Sequence, residues 1–260
     1  MKNKIVSKLP DVGTTIFAVM SKMASDHDAI NLSQGFPDFE VSKELRDLVN
    51  TYMNKGMNQY APMPGVPELR SSISKMIENT RNVHINPLDE ITVTSGATEA
   101  IYNIITATIS KGDEVILFDP AYDCYDPSIR LCGGIPVHIK LTQPNFSIDW
   151  EEVKNKINDR TKMIMINSPH NPSGAILHKD DLESLNELIK NTDILVLSDE
   201  VYEHIIFDSQ THESVLKYPE LRKRSAAVYS FGKTFHATGW KLGYIVAPGW
   251  WTTEIRKVHQ

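Results

Sequence analysis

The segment SFGKTFHATGWKLGY, residues 230–244, contains two lysines whose positions suggest a catalytic or binding role. Lys233 follows the apolar run AAVY of a predicted buried strand, and Lys241 lies a short distance further along. A charged amine at the end of a buried strand is costly unless something anionic or covalent receives it. The ordinary alternative is that Lys233 is a surface lysine, whose methylene chain packs on apolar neighbours while its amine extends into water.

Other residues that could bind a ligand follow further predicted strands. They are Gly96, Ala97 and Thr98 at the start of a helix, then Tyr122, then Asn171, and finally Asp199 with Tyr202. Ligands of an open α/β sheet bind at the carboxyl ends of its strands, so we expect these groups to meet there. Taken singly, each has an ordinary structural explanation. Residues 96–98 could form a plain strand-to-helix turn and Tyr122 could be a core aromatic. Asn171 could be a turn residue before proline, and Asp199 could be a helix cap.

Together, these groups match the needs of pyridoxal 5′-phosphate (PLP). Its aldehyde needs a lysine, its ring nitrogen a carboxylate, and its phenolic oxygen a tyrosine hydroxyl and an amide. Its phosphate needs backbone N–H groups, hydroxyls and a cation, and its flat ring needs an aromatic partner. Lys233 suits the aldehyde and Lys241 the phosphate, although spacing alone leaves a swap open. No spacing of histidines and carboxylates completes a metal site, so we predict no metal.

The elements that must position these residues alternate along the chain. Short apolar β-rich runs predict strands at 91–95, 113–118, 136–141 and 163–167, and then in DILVLSD, AAVYSF and LGYIVA. Amphipathic helices separate most of these runs, which predicts an α/β fold of three layers (α/β/α) with a mainly parallel mixed sheet. We expect residues 1–34 to form an N-terminal arm or part of a small domain, and residues 35–260 a large cofactor-binding domain. The chain ends in WWTTEIRKVHQ, which is typical of an opening helix, so we expect a truncated chain whose C-terminal small domain is missing.

Composition restricts the class of protein. The 260 residues are 41% hydrophobic, enough for a sizeable core, and the net charge of −6 argues against a nucleic-acid partner. Cys124 and Cys132 form no CxxC pattern, so we predict reduced thiols. The N-terminus lacks a secretory signal and no apolar run is long enough to span a membrane, which predicts a cytoplasmic protein.

Seven motifs resemble, in order, those of the fold-type I, class I/II PLP-dependent aminotransferases, particularly the methionine and kynurenine/glutamine aminotransferase group. They are NLSQGFPDF, NQYAPMPGVPELR, SGATEA, FDPAYDCY, SPHNPSG, SDEVYEH and SFGKTFHATGWKLGY. The likeness extends from about Leu9 to Gln260. It implies the large domain of a PLP-dependent transferase, and a homodimer with sites at the subunit interface. It also implies a ping-pong transfer of the amino group from methionine, or from an aromatic or glutamine-like amino acid, to a 2-oxo acid.

The resemblance also implies a role for each matching position. Lys233 would form the Schiff base and shuttle the proton, and Asp199 would pair with the ring nitrogen. The other implied roles are Tyr202 and Asn171 on the phenolic oxygen, Tyr122 on the ring face, Gly96, Ala97, Thr98, Ser230 and Lys241 around the phosphate, Tyr60 on the phosphate of the neighbouring subunit, and Gly35 and Asn171 at the substrate. The family's arginine for the substrate carboxylate has no matching position here.

Four alternative functions can be compared with the features of the sequence. A PLP-dependent C–S β-lyase would use the same cofactor and residues. A truncated product that binds the cofactor but is catalytically impaired would fit the missing arginine. A cofactor-sensing transcription regulator would need a DNA-binding module, for which the N-terminus is too short. A dinucleotide dehydrogenase would need GxGxxG after the first strand, where SGATEA stands instead.

Overall fold

Seven strands form one mixed sheet in the part of the chain that the computed structural model describes, residues 5–35 and 37–260. The strands are β1 (Ile91–Thr94), β2 (Glu114–Asp119), β3 (Ile135–Lys140), β4 (Thr161–Asn167), β5 (Leu195–Asp199), β6 (Ser225–Ser230) and β7 (Gly243–Val246). Their order across the sheet is β1-β7-β6-β5-β4-β2-β3. All seven predicted strands are present, with small shifts in their bounds.

Strand β7 alone among these runs against the others. It pairs antiparallel with β1 and with β6, whereas the pairs β2–β3, β2–β4, β4–β5 and β5–β6 are parallel. The carboxyl ends of the six remaining strands therefore lie at one edge of the sheet, and β7 begins at that same edge. The predicted mainly parallel mixed sheet is confirmed.

Helices cover both faces of the sheet. The helices of the described residues are α1 (Ile16–Asp26), α2 (Lys43–Asn54), α3 (Pro67–Arg81), α4 (Ala97–Thr108), α5 (Tyr125–Leu131), α6 (Trp150–Lys156), α7 (Lys179–Ile189), α8 (Pro219–Arg222), α9 (Phe231–Thr234) and α10 (Gly249–His259), of which α1 and α2 lie outside the core. Alternate residues of β2 show the two faces. Val115 and Leu117 pack in the cluster that contains α4, α5 and α10, while Ile116 and Phe118 pack in the cluster that contains α3, α6 and α7. The three-layer prediction is confirmed, because helices pack against both faces of the sheet.

Sequence patterns missed the short helices α5, α8 and α9. Helix α5 begins with Tyr125, Asp126 and Pro127, a turn-like composition, and α8 and α9 have four residues each. Such short segments have little helical preference of their own and depend on tertiary packing. Tyr125 and Ile129 of α5 supply that packing, since both are buried against the sheet.

The N-terminal segment contributes little to this core. None of the described residues before Gly65 is buried, and helices α1 and α2 contain no buried side chain. The boundary between residues 34 and 35 therefore stays a prediction.

No helix in residues 5–35 and 37–260 is long and apolar enough to cross a membrane. Both cysteines are half-buried free thiols.

A buried carboxylate, Glu200, follows β5 on the face away from the site described below. It is 1% exposed, and its side chain accepts hydrogen bonds from the Tyr229 hydroxyl (2.8 Å) and the Val215 N–H (3.1 Å) and lies 2.9 Å from His212 Nε2. Burial acts to raise the pKa of Glu200, but His212 and the charge of Arg81 outweigh it and bring the pKa to about 2. Glu200 is therefore ionised in the folded protein.

Replacing Glu200 with glutamine is expected to lower the free energy of unfolding by about 3 kcal/mol at pH 7, because it breaks a buried network. Since the folded pKa lies below the ordinary value of 4.5, the charge stabilises the fold above about pH 4.5 and that contribution disappears as the pH falls towards 2. Urea denaturation at pH 7 and pH 3 measures both effects. Glu220→Gln, which removes an exposed ion pair with Lys223, should change stability by less than about 1 kcal/mol. An equal loss of stability in both variants would contradict the role of Glu200 as the ionised centre of a buried network.

Candidate active site

A cavity of about 780 Å³ opens at the carboxyl edge of the sheet. It is lined by every residue for which the sequence predicted a site role except Tyr60: Gly35, Gly96, Ala97, Thr98, Tyr122, Asn171, Asp199, Tyr202, Ser230, Lys233 and Lys241. Tyr60 lies outside the cavity, with its side chain fully exposed. Residues far apart in the sequence thus meet at one place, as the parallel strands predict.

Asp199 is the buried acid of the cavity. It ends β5, is 4% exposed, and accepts hydrogen bonds from the Tyr125 hydroxyl (2.5 Å) and the Val201 N–H (3.2 Å). Burial raises the pKa of Asp199 to about 6, and these two hydrogen bonds offset part of that rise. The side-chain amide of Asn167 at the end of β4 donates to the Asp199 carbonyl (3.0 Å), which ties the two strand ends together. A carboxylate in this state favours a cationic partner.

Among the described residues, Lys233 is one of two lysines that line the cavity, and it is half-buried. It lies in α9, the short helix that follows β6, where its N–H donates to the side chain of the N-cap Ser230 (3.3 Å). Its Nζ lies 5.4 Å from the centre of the Tyr202 ring. Burial lowers the pKa of Lys233, and the charge of Asp199 acts in the opposite direction. A larger share of neutral amine makes this lysine a better nucleophile and base.

Three side chains supply a hydroxyl, an amide and an aromatic face. The Asn171 amide lies 3.5 Å from the Tyr202 hydroxyl, and the Asn171 N–H donates to the Asn167 side chain (2.8 Å). Burial raises the pKa of Tyr202 and raises that of Tyr122 to about 12, so both phenols keep their protons at neutral pH. They therefore act as hydrogen-bond donors or as neutral ring surfaces.

The start of α4 is an uncapped helix N-terminus at one end of the cavity. Its N-cap Gly96 has φ 87°, a left-handed conformation that favours glycine, and no side chain caps the first turn. The free N–H groups of such a terminus suit a phosphate. A β-carbon on Gly96 would lie 3.7 Å from Cε of Lys241, so the lysine side chain passes beside this terminus. Lys241 reaches it because β7 begins at this edge, with Gly243 paired to Thr94 on one side and Ser230 on the other.

Gly243→Ala is expected to lower the free energy of unfolding by about 2 kcal/mol, because the added β-carbon would overlap fixed backbone. It would lie 2.6 Å from the Tyr229 carbonyl oxygen and 3.0 Å from the Ala97 nitrogen. Gly239→Ala in the same segment is the matched control, since its β-carbon would meet no atom within 4 Å. Chemical denaturation of both variants measures the difference in their free energies of unfolding. Equal stability would contradict the close approach of the Tyr229 and Ala97 backbone to Gly243.

Sequence reasoning missed Tyr125 and Asn167. Tyr125 is the last residue of the motif FDPAYDCY and Asn167 the last residue of the predicted strand 163–167, but neither stands out by residue type. Their contacts with Asp199 depend on how α5 and β4 pack beside β5, which no local pattern encodes. Chemically, the site offers a nucleophilic amine, a carboxylate for a cation, neutral donors and an anion-binding helix terminus.

Comparisons with known proteins agree with this geometry. The sequence model of the aminotransferase class I and II family matches residues 27–260. A methionine aminotransferase of Escherichia coli is 51% identical over 254 residues, covering 98% of this chain and 66% of the relative. A human kynurenine–oxoglutarate transaminase 3 is 34% identical, covering 97% of this chain and 58% of the relative.

Solved structures give the same result. The crystal structure of Escherichia coli YbdL, described as having a methionine aminotransferase function, superposes with a TM-score of 0.95 at 50% identity, covering 98% of this chain and 67% of that one. This chain thus spans at most about two thirds of the length of these relatives. Because the family match extends over nearly the whole chain and the fold agrees with it, the chain belongs to the aminotransferase class I and II family.

Proposed function

We propose that the protein is a PLP-dependent aminotransferase that moves the amino group of an amino acid to a 2-oxo acid in two half-reactions. The preferred donor is methionine or an aromatic or glutamine-like amino acid, which is in keeping with the names of the relatives. The observation that carries the proposal is the placement of Lys233 and Asp199 in one cavity, each with a pKa displaced by burial.

The residues present fit this cofactor. A buried carboxylate whose pKa is raised to about 6 is stabilised by a cationic ring nitrogen. Asn171 and Tyr202 are adjacent donors for a phenolic oxygen, and Tyr122 is a neutral ring for stacking. Gly96, Ala97 and Thr98 with Ser230 and Lys241 suit a phosphate, because they combine free N–H groups, hydroxyls and a cation.

When bound, PLP supplies an aldehyde that condenses with amines and a protonated ring that accepts the electron pair of the substrate α-carbon. The protein's part is positioning and proton transfer. Lys233 Nζ would be the nucleophile that bonds to the aldehyde, and its free amine would be the base that takes the α-proton of the substrate. Asp199 would pair as a carboxylate with the cationic ring nitrogen, and Tyr202 and Asn171 would hold the phenolic oxygen. Gly35 and Asn171 are the proposed substrate contacts.

A homodimer is part of the proposal. Tyr60, proposed to contact the phosphate of the neighbouring subunit, is fully exposed and cannot serve the cavity of its own chain in this conformation. Helices α1 and α2 bury no side chain although they carry exposed Ile16, Val19, Leu48 and Tyr52. Apolar side chains of this kind favour contact with further protein. A cytoplasmic location stays a prediction from the sequence.

The test is a half-reaction followed by absorbance. Purified protein loaded with PLP should change its visible spectrum on addition of methionine and release the corresponding 2-oxo acid. 2-Methylmethionine is the matched control, because it lacks the α-proton that Lys233 must take. A second assay supplies cystathionine: pyruvate release without amino-group exchange would replace the proposal with a C–S β-lyase. Cofactor binding without either reaction would indicate a chain impaired in catalysis.

A further inference from the structure

Tyr125 contacts two of the proposed cofactor-binding residues at once. Its side chain is 4% exposed, and its hydroxyl donates a 2.5 Å hydrogen bond to Oδ2 of Asp199. Its ring centre lies 5.8 Å from that of Tyr122, with the planes at 68° in an edge-to-face arrangement. The proposed function uses neither contact.

The backbone holds Tyr125 in this position. It is the first residue of α5, and its N–H donates to the Tyr122 carbonyl (3.2 Å). The ring also packs in the apolar cluster between the sheet and α4. A hydroxyl on a fixed ring is a preorganised donor, so the Asp199 side chain needs no further ordering when a ligand arrives.

We propose that Tyr125 is a positioning residue: its hydroxyl holds the Asp199 carboxylate and its ring edge braces Tyr122, which keeps both ready for the cofactor ring. This inference rests on the proposed function. The hydroxyl is a donor to the carboxylate throughout, because burial and the charge of Asp199 keep its pKa well above 10. The other titratable groups that affect Asp199 or are affected by it are Glu200, Lys233, Cys124 and Tyr202.

The test measures cofactor affinity rather than turnover. Pyridoxamine 5′-phosphate is the probe, since it carries the ring and phosphate but has no aldehyde to bond with Lys233. Tyr125→Phe keeps the packed ring and removes the hydroxyl, so its dissociation constant for the probe should rise about 10-fold, because an Asp199 carboxylate that is no longer held must be ordered when the probe binds. Without that donor, Asp199 should protonate at a higher pH, so the pH below which affinity falls should move upwards in the variant.

Tyr229→Phe is the matched control. It removes an equally buried tyrosine hydroxyl that donates to a carboxylate, Glu200, on the other side of β5 (2.8 Å). It should lower the melting temperature without changing the dissociation constant or its pH profile. Equal changes in affinity for both variants would overturn the inference, because they would indicate a general loss of structure.

A double-mutant cycle keeps the inference testable if Tyr125→Phe is unstable. In an Asp199→Asn background, Tyr125→Phe should have a much smaller effect on probe affinity, because the carboxylate it positions has been removed. An undiminished effect would overturn the inference. Failure of the wild-type protein to bind either PLP or the probe would instead overturn the proposed function itself. Binding by wild type with an unchanged Tyr125→Phe affinity and pH profile would overturn the inference alone.

Discussion

Lys233→Ala is expected to lower aminotransferase activity by about 10⁴-fold or more, because it removes both the proposed nucleophile for the aldehyde and the proposed base for the α-proton. The fold should be retained, since the side chain is half-buried and its backbone N–H to Ser230 remains. The measurement is reduction of the PLP-loaded protein with borohydride, followed by peptide mass mapping. Wild type should carry the adduct at position 233, and the variant should carry none.

Lys241→Ala is the matched control from the same segment. Lys241 passes beside Gly96 at the start of α4, so its loss should weaken cofactor affinity while leaving the adduct at Lys233. The two variants together also decide which of Lys233 and Lys241 bonds to the aldehyde, a question that the spacing alone left open. An adduct at Lys241 in wild type, or one that persists in Lys233→Ala, would show that the wrong lysine has been assigned.

Asp199→Asn is expected to lower activity by about 10³-fold while cofactor affinity falls far less, because in the proposed function the carboxylate would stabilise charge that develops during the reaction. Asp119→Asn is the matched control, since Asp119 also ends a strand of the sheet but binds His138 and does not line the cavity. Steady-state kinetics and cofactor titration of both variants give the two quantities. Near-normal turnover in Asp199→Asn would remove Asp199 from this role.

The same variant gives a pH test without cofactor. Burial raises the pKa of Asp199 from 3.8 to about 6, so ionisation of this group stabilises the unfolded chain more than the fold. Its contribution to stability is present below about pH 4 and is lost as the pH rises through 6. The free energy of unfolding of Asp199→Asn relative to wild type should therefore increase by about 2 kcal/mol between pH 4 and pH 8. Urea denaturation measures it, and a constant difference would contradict the raised pKa.

The local sequence determined the strands, the longer helices and the residue types that gather at the site. Strands and most helices follow from apolar periodicity, which acts over a few residues, and the seven strands were therefore predictable. The lysine, the carboxylate, the amide and the phenol each follow a strand or open a helix, so the parallel-sheet rule was enough to predict their meeting at one edge. All the predicted site residues but Tyr60 line the cavity.

Only the tertiary structure decided which distant residues support that chemistry. The reversed direction of β7 brings Lys241 beside Gly96, and the docking of α5 brings Tyr125 to Asp199. Strand direction, strand order and the placement of a short helix depend on packing between segments far apart in the chain, where local preferences are weak. The same packing sets the burial that moves the pKa values of Asp199 and Lys233, so the residue types were readable in the sequence but their reactivity was not.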